Sequence, residues 1–200
     1  MQVVEYFQSV HPYDQAFADV LSENDNVFLL KRVLSKKGWD SEYNSLFEGS
    51  VEPIGLFAQY AELGFPNASV SEGSSNASMI FSVPRFFKDV ETETVEQGID
   101  FQIAEAYFGQ TEEDIPLENG QMLINYAAAP YYWPTVSFSD VYNGRVAPSV
   151  FKDKIVLIGG TSAILQDRHF TPIDATTPMP GVEIHANAIQ TILDEAYLRH

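Results

Sequence analysis

The chain predicts a single α/β domain, residues 1–200, built on a mixed, largely parallel sheet flanked by helices. Three observations carry that expectation. Helical stripes alternate with unbroken apolar runs, the order expected when strands lie covered by helices. The 200 residues are 45% apolar and 13% aromatic, enough to enclose one sizeable core. Two short apolar runs, 27–30 and 154–158, read as strands buried on both faces.

Taken in order, Pro12 suits the first turn of a helix whose stripe is Tyr13, Phe17, Val20 and Leu21, and Asn24, Asp25 and Asn26 stop it. Residues 27–30 follow as a buried strand. From 34 to 50 the pattern is polar with isolated aromatics, Trp39, Tyr43 and Phe47, and predicts no regular element. Residues 53–63 form a short helix ended by Gly64. The serine-rich stretch 69–78, with Gly73, is a flexible turn before a strand at Met79, Ile80 and Phe81. Thr94 and Gln97 have the spacing of a capping box, opening a helix that runs to about Phe108 with Ile99, Ile103, Ala106 and Tyr107 inward, and Gly109 ends it. Residues 122–126 read as a strand, and 136–142 as a short helix stopped by Asn143 and Gly144. Residues 154–158 form the central strand, running into Gly159 and Gly160. The last helix starts after Pro180 and Gly181, packs on that strand, and continues to about Leu198.

Charge and composition narrow the function. A net charge of −17 repels phosphate backbones and anionic headgroups, so nucleic acid is not an expected partner. The absence of cysteine removes disulfides, thiolate metal sites and thiol nucleophiles. No run of about 18 apolar residues spans a bilayer. The first ten residues carry Glu5 and no Lys or Arg, so they lack the basic start of a secretory signal. Any targeting segment is expected outside this chain, and both ends read as cuts through a longer polypeptide.

The C-terminal third is the most specific part. Val136-Ser137-Phe138-Ser139-Asp140-Val141 with Gly144 is followed by Phe151-Lys152-Asp153-Lys154-Ile155-Val156-Leu157-Ile158-Gly159. Next come Asp167, Thr171-Pro172 and Met179-Pro180-Gly181-Val182-Glu183-Ile184-His185-Ala186-Asn187. In order and spacing these resemble the second CHASE-type extracellular sensory domain. Pro12-Tyr13-Asp14 with Phe17 and Ala18, the strand after Asn26, and Gly64-Phe65-Pro66-Asn67 resemble it more loosely. The family opens with an apolar strand and a tryptophan- and proline-rich turn before its first helix; this chain lacks that first strand and helix. Where the family often carries an Asp-Gly turn and paired arginines, this chain has Gly73-Ser74-Ser75-Asn76-Ala77-Ser78, so no role of those arginines transfers.

The resemblance implies an extracytoplasmic (periplasmic or cell-surface) sensor, anchored to the cell membrane through segments outside the chain. The output it implies is an adenylate or guanylate cyclase, histidine kinase, protein kinase or diguanylate cyclase. The expected partners are a small-molecule or peptide ligand and, because such outputs work as dimers, a second copy of the chain. No catalytic residue, cofactor or metal is assigned. The competing readings are a hydrolase on the α/β scaffold and a structural dimerisation module without a ligand.

Candidate ligand contacts fall in two places. Gly159, Gly160 and Thr161 would lie at a strand's C-terminal end, where open α/β sheets bind ligands, although the third glycine of a nucleotide fingerprint is missing and a structural turn explains the same residues. Asp167, Glu183, His185 and Asn187 gather around the start of the last helix, with His169 nearby. A divalent cation suits such a cluster, but helical geometry puts His185 on the core stripe with Val182, Ala186, Ile189 and Leu193 and turns Glu183 and Asn187 away. The expected role of His185 is to pin the 167–172 loop by hydrogen bonding. Tyr126, Tyr131, Tyr132 and Trp133, between Pro130 and Pro134, read as a loop over a sheet edge or as a pocket wall.

Overall fold

The computed structural model describes residues 11–40, 42, 45–72, 78–108 and 115–199. Residues 1–10, Tyr43, residues 73–77 and the helix stop at Gly109 lie outside the described residues; of the turn expected at 69–78, residues 69–72 and 78 belong to strands instead.

The architecture is mixed α/β, as expected. Helix α1 (Pro12–Ser22) begins at His11, whose backbone N–H donates to the Asp14 carboxylate at 3.3 Å while the Tyr13 N–H donates to His11 Nδ1. Strand β1 (Phe28–Leu30) pairs in parallel with β4 (Glu62–Gly64). A four-stranded sheet has the order β2 (Arg32–Gly38), β3 (Ser45–Val51), β7 (Phe86–Asp89), β8 (Val95–Gln97). A second sheet runs β11 (Asp174–Pro180), β10 (Arg168–Thr171), β6 (Ser78–Pro84), β5 (Ser69–Glu72), with β9 (Gln121–Leu123) also on β6. Parallel pairing joins β1 to β4, β3 to β7 and β10 to β6; the other pairs among the described residues are antiparallel. The remaining helices are α2 (Gly55–Ala58), α3 (Ile99–Phe108), α4 (Phe138–Tyr142) and α5 (Gly181–Leu193).

Two apolar clusters hold these layers. Ile80, Val83, Phe101, Ala104, Met122, Ile184, Ala188 and Ile192 join the second sheet to α3 and α5. Phe47, Phe65 and Phe87 form the other under the first sheet, with Phe65 about 5 Å from both neighbours by ring centroid (4.9 and 5.0 Å).

Several expectations need correction. In α1 the buried residues are Ala18 and Leu21, whereas Tyr13, Phe17 and Val20 are exposed, with Phe17 making an edge contact to Phe57 of α2. Among the described residues β1 has one strand beside it, and its Leu30 is exposed, so it is not covered on both faces. The polar 34–50 stretch is β2 and β3; half-buried alternation with long polar side chains hides a strand from hydropathy. Residues 53–63 hold the four-residue α2 and then β4. Gln97 pairs with Phe86 in the β7–β8 ladder, so Thr94 and Gln97 cap no helix. α3 turns Ile99, Asp100, Phe101 and Ala104 inward, and Ala106 and Tyr107 face solvent. The strand expected at 122–126 is Gln121–Leu123, and α5 ends at Leu193 rather than near Leu198.

The largest correction concerns 154–158. These residues make no backbone ladder with any described strand, and Val156 and Ile158 are 50% and 82% exposed. Residues 155–158 alternate half-buried and exposed, the signature of a strand, but a strand exists only where another chain segment accepts its hydrogen bonds. The inner strands are β3 and β7 in the first sheet and β10 and β6 in the second.

Candidate functional site

α5 positions the site. Its first residue, Gly181, donates its N–H to the Asp167 carbonyl at 3.1 Å, and the Asp167 carboxylate lies against its Cα. A Cβ at position 181 would stand 2.4 and 2.5 Å from the two carboxylate oxygens, so only glycine admits this approach. Asp167 therefore sits where the helix's unpaired N–H groups favour negative charge. It also faces His169, Nε2 to Oδ1 3.3 Å.

Along α5, Glu183, Asn187 and Thr191 form a buried polar row four residues apart, hence on one face. Each holds a backbone N–H of the preceding loop. Tyr131 donates to Glu183 Oε2 at 2.7 Å, Ala128 to Asn187 Oδ1 at 3.0 Å, and Asn125 to Thr191 Oγ at 3.0 Å. Asn187 Nδ2 in turn donates to the Glu183 carbonyl at 2.8 Å. Glu183 is 5% exposed and Asn187 0%, which overturns the expectation that they point away from the core. The reason is that the loop's N–H groups would otherwise be buried without acceptors. The row was legible as Glu-x3-Asn-x3-Thr along the helix, but its partners lie far away in sequence. Tyr131 and its aromatic neighbours serve this loop, and Tyr132 is exposed.

His185 also departs from its expected partner. Its Nδ1 lies 2.8 Å from Oδ1 of Asp100 on α3, not against the backbone of the 167–172 loop. Burial works against a charged imidazole here. The Asp100 carboxylate, by charge and hydrogen bond, then Asp167 and the Pro66 carbonyl, outweigh it and raise the His185 pKa above its ordinary value. The pair ties α3 to α5.

Around this corner a cleft of about 240 Å³ opens between the two sheets. Its wall includes Lys36 of β2, Asn67, Asp167, His169 and His185, and its floor includes Ala68, Ile80 and Ile184. Of the residues expected to bind ligand, Asp167 and His185 meet in this cleft. Glu183 and Asn187 lie behind it, holding the loop. Gly159, Gly160 and Thr161 lie elsewhere. A Cβ on Gly159 would come within 2.5 Å of Val182 Cβ, so close packing explains that glycine, whereas one on Gly160 would meet the movable end of the exposed Leu165 side chain. The Thr161 carbonyl accepts from Arg168 at 2.8 Å. Lys36 and Asn67 were missed, since nothing in a lysine on a polar strand marks it before the sheets are assembled. Among the described residues no group of three or more His, Asp or Glu side chains is placed to hold a metal, and no helix is long and apolar enough to cross a membrane.

The chain matches the CHASE2 domain family over residues 3–200, and it belongs to that family of extracellular sensory domains in signalling receptors. No curated protein and no solved structure matches it.

Proposed function

We propose that this chain is the extracytoplasmic sensing domain of a membrane-anchored receptor, working as a homodimer upstream of a cyclase or kinase output. Membership of a sensory family carries the reading. The cleft adds support, because it is bounded by both sheets and by the N-terminus of α5. A ligand there touches several elements at once, and a signal requires only that it bind one arrangement of them better than another. The hydrolase alternative would need a deep pocket with convergent His and carboxylate groups near Gly159, whose nearest side chain is Val182.

Location is the decisive test. Alkaline phosphatase fused after residue 199 in the native gene context is expected to be active, because the enzyme matures only outside the cytoplasm. A silent phosphatase fusion with a fluorescent GFP fusion at the same position would place the domain inside and end the receptor reading.

A further inference from the structure

The hollow lined by residues 21–25 and Tyr60 is larger, about 390 Å³, but one helix end and a single ring bring no convergent groups to it. The smaller cleft does. Its charged walls fall into a cancelling pair and a separated pair. His185 and Asp100 neutralise one another at 2.8 Å. Lys36 makes no ion pair among the described residues, and Asp167, at the head of α5, has His169 at 3.3 Å and also acts by charge on His185. A net anion would satisfy Lys36 and meet Asp167 unpaired; a net cation would do the reverse. Both side chains are exposed, so water screens either mismatch and this charged pair contributes a modest preference.

A second observation points the same way. Asn67 Oδ1, in the cleft wall, is buried and has no hydrogen-bond partner, and a buried acceptor of that kind calls for a donor. Beneath these groups Ala68, Ile80 and Ile184 give an apolar floor. The volume of about 240 Å³ is below the range of drug-sized sites, which begins at roughly 300 Å³.

Resting on the sensory reading, we propose that the cleft takes a small zwitterion of the aliphatic α-amino-acid type. Its ammonium meets Asp167 and Asn67 Oδ1, its carboxylate meets Lys36, and its short side chain rests on Ile80 and Ile184. A charge-neutral ligand with separated charges pairs both walls at once, while an aliphatic side chain removes the floor from water.

The test uses three probes that differ by one group each: L-valine, isovalerate, which lacks the ammonium, and isobutylamine, which lacks the carboxylate. L-valine, at about a hundredfold over its Kd, is expected to raise the melting temperature of the 200-residue chain by roughly 5–10 °C, and neither truncated probe to do so. Lys36→Ala, at an exposed strand position, is expected to leave the ligand-free melt unchanged and to weaken L-valine binding by calorimetry at least about tenfold. Asp167→Asn should weaken it too. An equal shift from isovalerate or isobutylamine, no shift from L-valine, or an unchanged Kd in Lys36→Ala overturns the assignment. Those failures are separable from failure of the receptor reading: a cytoplasmic fusion result with valine bound would remove the receptor and keep the cleft, and the opposite pair would remove the ligand class alone.

Discussion

Helix α5 and the segment 155–158 invert each other's chemistry. The helix carries Glu183, Asn187 and Thr191 into the interior, while four consecutive aliphatic residues at 155–158 leave Val156 and Ile158 in solvent. What separates them is partnership. The helix's polar side chains meet three loop N–H groups that have nowhere else to bond, and the aliphatic run meets no described strand. Burial here follows hydrogen-bond supply at least as much as hydropathy.

The comparison can be broken most sharply at Asn187. Asn187→Leu keeps the volume and adds apolar surface, so hydropathy alone expects a gain. We expect a loss of about 2–4 kcal/mol by urea unfolding, because the Ala128 N–H is left buried without an acceptor. A variant as stable as the parent would show that the polar row is dispensable. Thr191→Val removes the acceptor of the Asn125 N–H, and a smaller loss, about 1–2 kcal/mol, is expected in the same assay.

His185 sharpens the comparison through pH. Its folded pKa is raised, so its protonated form is the one the fold favours. The sign follows: this contribution is fully present below the ordinary value of 6.5 and is lost as pH rises through the folded value. His185→Gln should therefore lower the melting temperature more at pH 6 than at pH 9. Equal losses at both would mean that the Asp100 pair stores no proton-linked stability. The smallest effect belongs to the exposed run. Ile158→Ser is expected to change stability by less than about 0.5 kcal/mol while reducing binding of a hydrophobic dye. A loss of several kcal/mol would mean that this face is covered in solution.

Much of the outline was legible. Helices opening at Pro12 and after Pro180 follow from proline and stripe, and the short helix before Asn143 and the strand at Met79, Ile80 and Phe81 stand where expected. β2 and β3 escaped notice because long charged side chains on a half-buried strand blur the period-two alternation. The candidate site was half legible. Asp167 and His185 sit in the cleft, but His185 faces an aspartate 85 positions away in sequence, and Lys36 reaches it from another sheet.

What the sequence by itself determined is the class of fold, the family and the helix that frames the cleft. Tertiary structure alone decided which polar groups are buried and whether 155–158 is a strand. The physical reason is that both depend on partners outside any local window. The N–H groups that anchor Glu183, Asn187 and Thr191 lie 52, 59 and 66 residues away, and a strand is defined by the neighbour it bonds rather than by its own side chains.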